Sequence, residues 1–361
     1  RGLGDVYKRQ MQVFAQHNRE KFAVYAFSYC PLEEDAVSHR IASVVDHWVN
    51  VRGKTAKEIA EETRGLAIDI AVDLSGYTEY GRPEIFANRV AMSQVSYLGY
   101  LGTMGSPSID YLIADQILVT PADTQFYNEK IIYLPWYQAN DQDRPCPATG
   151  PDRNTLGLPE QGVVYASFNH TYKINPEVFS CWMEILRAVP DSVLMLLAAN
   201  DRVATHLRQT AVNTGIDAQR LLFAPRKKYE DYLAQYHCVD LFLDTSPYNA
   251  GTTASDALWM GVPVLTMYGK TFAGRMAASL LHAADMPELI VQSKEDYINK
   301  AIQLGTDKLQ LNQLKKKIIE SRASAALFDT QRFTANLERA YETIVHQQAA
   351  GLVESFVVEA V

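Results

Sequence analysis

The stretch SPYNAGTTASDALWMGVPVLT begins at Ser246, directly after VDLFLDT, and sets Pro247, Asn249 and Gly251 between a strand-like run and an apolar helix. Pro, Asn and Gly end a strand sharply, and Thr252 or Thr253 can cap the first turn of the helix that follows. A helix start also carries unpaired amides and a partial positive charge. Backbone N–H groups at Thr252 and Thr253 are therefore placed to hold phosphate oxygens, with Gly251 letting the backbone come close. Lys173 is the candidate cation for the same anion. It follows the strand-like VVYASF in a loop, ahead of a helix start marked by Asn175 and Pro176 that has no need of a lysine. Asp256, three residues after Thr253, is spaced to close a capping box. The loop LGYLGTMG, with Leu98, Gly99 and Gly102, reads as a tight strand exit. His47 stands beside Trp48 in VVDHWVNV, where a lone histidine is as readily structural as reactive.

These residues need a frame to position them, and the hydrophobic pattern supplies one. KFAVYAFSY reads as a buried strand, TAKEIAEETRG as a helix closed by Gly65, and LAIDIAVDLSGY as another strand. RPEIFANR is a short helix, SQVSYLGYLGTMG a strand running into a glycine-rich loop, and IDYLIAD and EKIIYLP two more strands. The alternation resumes with GVVYASF, the helix PEVFSCWMEILRAV, SVLMLLAA, a helix ending near Gly215, RLLFAP, the helix YEDYLAQYH and VDLFLDT. The helix TASDALWMG, VPVLTMYG, the helix GRMAASLLHAA and three further helical patterns complete the chain. Such alternation predicts an α/β protein with parallel sheets, whose ligands sit beyond the carboxyl ends of the strands. The unusual loops LGYLGTMG, FNHTYK and TSPYNAGTT all follow strands, so the three could face one cleft.

The boundaries follow from composition. Residues 1–10, RGLGDVYKRQ, lack an initial methionine, resemble translated adapter sequence and are read as a non-native leader. Residues 11–137 form an expected N-terminal domain and 138–162, dense in Pro, Gly, Asp and Asn, a linker. Residues 163–361 form a C-terminal nucleotide-binding domain closed by helices. At 361 residues and 47% hydrophobic the chain can bury a sizeable core. A net charge of -8 argues against general binding to nucleic acid, and no apolar run reaches the roughly 18 to 20 residues of a membrane span. Cys30, Cys146, Cys181 and Cys238 are far apart and show no C-x-x-C spacing, so neither a zinc site nor a disulfide framework is expected, and a cytoplasmic location suits them.

At FNHTYKINP, LDTSPYNAGTTASDALWMGVPVLTM and GRMAASLL, together with DLSGYT and YLGYLGTMGSPSIDYLIAD, the sequence resembles the catalytic region of the O-linked N-acetylglucosamine transferase and SPINDLY family. The blocks match in order and spacing from about Phe22 to about Ala350. The resemblance implies a GT-B fold of two Rossmann-like domains facing an interdomain cleft, and an inverting glycosyltransferase that uses no metal or other cofactor. It implies a sugar-nucleotide donor, UDP-N-acetylglucosamine first, and a Ser or Thr of an acceptor protein or peptide. Helical repeats of the TPR type that recruit the acceptor often precede this region in the family.

Residue by residue, the resemblance assigns Lys173 to the diphosphate, Thr252 and Thr253 to the phosphates, and Asp256 to a ribose hydroxyl. Leu98, Gly99 and Gly102 match backbone that touches the sugar, with Leu101 where proline is usual. His47 matches the second of two active-site histidines. His170 stands where some members have glutamine, and Tyr232 replaces a histidine near the base. Lys228 lies near a nucleotide-binding lysine whose column Tyr229 takes. Gly251 stands where N-acetylglucosaminyl members commonly have histidine. Glycine there resembles the SPINDLY-type branch, which transfers fucose from GDP-fucose, while Asp256 and Arg275 in GRMAASLL resemble the N-acetylglucosaminyl branch. The family's first strand, with a histidine-bearing loop, should precede Met11 and is not in this sequence. A third reading therefore stands beside the two donors: a fragment that binds sugar nucleotide but is impaired in transfer.

Overall fold

The structure is a computed structural model that describes residues 11–29 and 36–361; the expected leader over residues 1–10 lies outside the described residues. The chain divides into two units, one comprising Arg1–Arg144 with Ala326–Val361 and the other Pro145–Ala325. Among the described residues no helix is long and apolar enough to cross a membrane. Cys146, Cys181 and Cys238 are free thiols.

In the first unit β1 (Tyr25–Ser28) pairs in parallel with β2 (His47–Asn50), with Tyr25 opposite His47 and Ser28 opposite Asn50. The strands β3 (Ile70–Asp73), β4 (Ser93–Ser96), β5 (Tyr111–Ala114) and β6 (Lys130–Tyr133) form a second parallel sheet. β4 and β5 are buried throughout, as strands covered on both faces must be. The helix Ala56–Gly65 connects β2 to β3. Its start is a capping box, in which the Thr55 side chain accepts from the Glu58 amide while the Glu58 carboxylate accepts from the Thr55 amide. Gly65 is its last residue, and Ala67 turns the chain at φ 53°.

The second unit is one parallel sheet of β7 (Val164–Ser167), β8 (Val193–Leu197), β9 (Leu221–Ala224), β10 (Leu241–Leu243), β11 (Val264–Met267) and β12 (Ile290–Val291). Its order is β12-β11-β10-β7-β8-β9, a doubly wound arrangement that reverses direction beside β7. The helix Pro176–Ala188 follows β7 because Asn175 caps it, Pro176 pre-sets its first φ, and Val178, Phe179, Trp182, Ile185 and Leu186 recur on one buried face. Trp182 donates from Nε1 to the Tyr297 hydroxyl at 3.1 Å, and that hydroxyl donates to the Asp244 carbonyl at 2.8 Å. The buried core is thus tied by hydrogen bonds to the end of β10.

The chain then returns to the first unit. The helix Thr330–Ala349 buries Phe333, Leu337 and Ile344, and β13 (Phe356–Val357) adds in parallel to β6, giving the order β13-β6-β5-β4-β3. This differs from the expected boundaries, which kept everything from 163 to 361 in one domain. An amphipathic pattern shows that a helix has a buried face without showing which body buries it.

Candidate functional site

In the second unit, the loop between β10 and the helix Thr252–Trp259 is held from beneath by one buried carboxylate. Asp244 Oδ1 accepts from the backbone amides of Thr245 and Ala250, each at 2.7 Å, and from Asn169 Nδ2 at 3.2 Å. Its other oxygen accepts from the Thr266 hydroxyl at 2.7 Å. Burial pushes this carboxyl up to about 6, because desolvation outweighs the stabilisation given by its donors and by nearby Lys173. The loop is fastened further by Asn249 Nδ2 donating to the Thr245 carbonyl at 2.8 Å and Asn175 Nδ2 donating to the Ser246 carbonyl at 2.6 Å.

Above that base, the helix Thr252–Trp259 starts without any side-chain cap; its N-cap is Gly251 at φ -108°. The first-turn amides therefore keep their outward-facing donor character. Thr253 turns its hydroxyl to Asn169 Oδ1 at 2.5 Å, so this threonine is part of the scaffold. The capping box expected between Thr253 and Asp256 does not form, because the helix begins two residues earlier than that pairing requires, with Gly251 at the N-cap. Asp256 is instead buried, with Oδ1 accepting from the Tyr229 hydroxyl at 2.8 Å. Gly251 is not sterically required: an added Cβ would meet only Met276, at 3.7 Å.

Lys173 is brought to this helix start, as its loop position suggested. It closes a short 3-10 turn, Thr171–Lys173, donates from Nζ to the Asn249 carbonyl at 2.8 Å, and lies 3.9 Å from the Tyr248 ring centroid. His170 caps the same turn, accepting at Nδ1 from the Tyr172 amide, and its ring packs 4.6 Å from that of Tyr172. Tyr232 sits in an aromatic group with Phe168, Tyr229 and Tyr236, and its hydroxyl is 2.7 Å from that of Tyr236. Tyr236 in turn donates to the Thr253 carbonyl at 3.1 Å, so the aromatic group reaches the helix start through one bond. Lys228 is exposed at the N-cap of the helix Tyr229–Ala234 and makes no capping bond.

In the first unit, the loop after β4 is strained and pressed onto its neighbour. Leu98 is buried at φ 69°, and a Cβ on Gly99 would stand 2.0 Å from the Leu74 carbonyl oxygen. Gly102 is free of such crowding, with only Tyr100 at 3.8 Å. Glu129 holds the far side, accepting from the Thr103 hydroxyl and the Met104 amide at 2.6 Å each. His47 opens β2, is exposed, and stacks on Tyr25 at 4.2 Å. That is the amino end of its strand, whereas the Leu98–Gly102 loop leaves the carboxyl end of β4.

Sequence reasoning gave no role to Asp244, Asn169, Tyr248 or Tyr229, although it noted that Tyr229 takes the column of a nucleotide-binding lysine. The first is the penultimate residue of VDLFLDT and the second lies in FNHTYK, so the available signal was a polar residue just past an apolar strand. Assembled, the second-unit site can meet a diphosphate with a helix start and one fixed cation, on a preorganised base.

Comparison with known proteins gives this geometry its context. The family model for glycosyl transferase family 41 matches residues 8–141 and 137–337. A probable UDP-N-acetylglucosamine–peptide N-acetylglucosaminyltransferase SEC of Arabidopsis thaliana is 35% identical over 336 residues, 91% of this chain and 34% of that protein. A probable UDP-N-acetylglucosamine–peptide N-acetylglucosaminyltransferase SPINDLY of Petunia hybrida is 31% identical over 94% of this chain and 37% of its own length. The chain thus spans about a third of these curated relatives. Among solved structures, a lysine-to-methionine mutant of the Thermobaculum terrenum O-GlcNAc transferase superposes with a TM-score of 0.88 at 34% identity, covering 96% of this chain and 66% of that one. A glycosyltransferase from Rickettsia africae, at 11% identity and TM-score 0.60 over 95% of this chain and 94% of its own, shares the fold alone.

Proposed function

The chain belongs to glycosyl transferase family 41 and has the GT-B fold, and from that premise we propose that it carries the donor-binding and transfer machinery of a protein O-glycosyltransferase. The donor is a sugar nucleotide, UDP-N-acetylglucosamine, and the acceptor a Ser or Thr hydroxyl of a protein or peptide. One observation carries the reading: Lys173 is fixed beside the uncapped start of the helix Thr252–Trp259, over the Asp244 network.

In the proposed reaction the acceptor oxygen forms a bond to the anomeric carbon while the bond from that carbon to the diphosphate oxygen breaks. The electron pair leaves on the diphosphate, the acceptor loses its proton, and the anomeric configuration inverts. Charge that gathers on the departing diphosphate meets the Thr252 and Thr253 amides and the Lys173 ammonium, with no metal or other cofactor required. Asp256 and the Tyr229–Tyr232 pair lie on the nucleoside side. The backbone of Leu98, Gly99 and Gly102 is the proposed sugar contact, and His47 is retained as a candidate on the acceptor side. Helical repeats of the TPR type preceding this region would recruit the acceptor.

A second donor has a specific observation behind it. A Cβ at position 251 would make only an ordinary contact with Met276 at 3.7 Å, so a side chain is tolerated there, yet the residue is glycine as in the SPINDLY-type branch; GDP-fucose is the alternative. Calorimetric titration of the purified chain with UDP and with GDP tests both. Tighter UDP binding supports the first donor and tighter GDP binding the second. Binding of neither sinks the assignment of the helix start. Binding without transfer to any peptide acceptor would identify a donor-binding fragment. Activity that persists undiminished in a chelator supports metal independence, and a reproducible requirement for magnesium or manganese would overturn it.

A further inference from the structure

Between β11 and the helix Met276–Ala283 the chain runs YGKTFAGR, and its last residue, Arg275, is 8% exposed. A guanidinium is buried at a cost unless its N–H groups meet acceptors, so the acceptors show what the residue holds. Arg275 donates from Nε to the Gly269 carbonyl at 2.9 Å, and its guanidinium carbon lies 5.1 Å from the Tyr268 ring centroid. Arginine does both at once because the planar group donates along its edge while its face lies over a ring.

Gly269 is thereby gripped on both sides. Its carbonyl receives the arginine and its amide donates to the Gly274 carbonyl at 2.8 Å, which pins the two ends of the loop together. A Cβ on Gly269 would stand 2.5 Å from that same carbonyl oxygen, so the neck admits no side chain. Within the loop the Gly274 amide donates to the Thr271 carbonyl at 3.0 Å and the Arg275 amide to the Phe272 carbonyl at 3.1 Å, with Phe272 buried.

The closed loop bears on the residues that precede the helix Thr252–Trp259. The Asn249 amide donates to the Ala273 carbonyl at 3.0 Å, and a Cβ on Gly274 would stand 2.8 Å from the Pro247 carbonyl oxygen. Asn249 is also the residue whose carbonyl receives Lys173 Nζ at 2.8 Å. Met276, next to Arg275 in sequence, is the side chain that a Cβ on Gly251 would touch, at 3.7 Å. The arginine therefore stands behind both the ammonium and the helix start.

We propose that Arg275 is a positioning residue for the diphosphate, closing the loop 269–274 so that Ala273 holds Asn249 and Asn249 holds the Lys173 ammonium. The inference rests on the proposed assignment of Lys173 to the diphosphate. A lysine whose acceptor drifts loses part of its preorganised attraction for an anion. The task is the same for a uridine or a guanosine nucleotide.

Ligand-observed NMR titration of the 361-residue chain with UDP and with uridine tests this without an acceptor. GDP and guanosine take their place if GDP binds more tightly. Arg275→Met is expected to weaken the diphosphate nucleotide about ten-fold and to leave the nucleoside within about two-fold of wild type. Lys173→Ala itself weakens the nucleotide, and adding Arg275→Met to it should cost less than about two-fold more, because residues that act through one group are not additive. Gly269→Ala, which forces the same neck open and keeps the arginine, should repeat both results, and it decides if Arg275→Met does not fold. Equal weakening of nucleotide and nucleoside would mean a general loss of structure, and multiplied losses in the double variant would mean that Arg275 acts apart from Lys173; either overturns the proposal. Unchanged nucleotide affinity in Arg275→Met overturns it as well. If Lys173→Ala binds UDP and GDP as wild type does, or wild type binds neither, the assignment of Lys173 falls and the inference with it.

Discussion

Lys173 and Asp244 do different work within one network. Lys173 is held by the Asn249 carbonyl and the Tyr248 ring, so its ammonium is placed in the absence of any ligand, and little reorganisation accompanies charge build-up on a diphosphate. Lys173→Ala is expected to lower kcat about 10²- to 10³-fold, as for loss of one preorganised donor, with the thermal transition close to wild type. Steady-state rates with peptide and sugar nucleotide check this, and undiminished turnover would remove the lysine from the mechanism. Asp244 is 2% exposed and acts through the loop it holds, by its bonds to the Thr245 and Ala250 amides. Its carboxyl titrates near 6 in the folded protein against an ordinary value of 3.8, so the folded state holds the extra proton between those values. The stabilisation from that proton is fully present below the ordinary value and is lost as pH rises through about 6, on the order of 3 kcal/mol in all. Urea midpoints of wild type relative to Asp244→Asn should therefore rise as pH falls from 7 to 4; a difference that stays constant with pH contradicts the buried titration. Lys173 was legible in the sequence because a lysine stood in a loop where a helix cap had no use for one. Asp244 was not, because its partners Asn169 and Thr266 lie 75 and 22 residues away and only the fold brings them together.

At the scale of the element, two of the three candidate glycines, Gly99 and Gly251, turn out to be opposite cases. Gly99 is required by contact: a Cβ there would meet the Leu74 carbonyl oxygen at 2.0 Å, and backbone on both sides would have to shift. Gly251 would make only an ordinary contact, with Met276 at 3.7 Å, and has a negative φ. Gly99→Ala is expected to cost about 1–3 kcal/mol, as forced overpacking does, while Gly251→Ala stays within about 1 kcal/mol of wild type. Thermal denaturation of the pair checks the contrast, and equal shifts would refute it. The loop after β4 could be read from its glycines, yet which of them is indispensable could not, since that depends on how close Leu74 comes. Most strands and helices were legible because apolar runs alternated with amphipathic periods and turn residues. β2 was left out even though VVDHWVNV is rich in valine, because its histidine drew the reading toward chemistry. The structure shows that histidine stacked on Tyr25 at the strand's amino end.

For the whole molecule, the first unit is closed by a segment that arrives last in sequence. Phe333 is 1% exposed and lies 6.3 Å from the Trp136 ring, and the Ser355 hydroxyl accepts from the Ile131 amide at 2.8 Å. β13 then pairs Phe356 with Ile132 and Val357 with Tyr133. Nothing in the periodicity of DTQRFTANLERAYETIVHQQAA told which unit would bury it, since the same stripe suits either core. The physical consequence is that first-unit stability depends on residues more than 180 positions downstream, while the second unit is built from the continuous stretch Pro145–Ala325. Phe333→Ala should leave a cavity costing about 3–5 kcal/mol, felt by the unit that contains the cavity. Hydrogen exchange should then accelerate over Lys130–Tyr133 and remain at wild-type rates over Val193–Leu197. Equal acceleration in both strands would mean that the two units unfold as one cooperative body, and acceleration confined to Val193–Leu197 would place the helix in the other core.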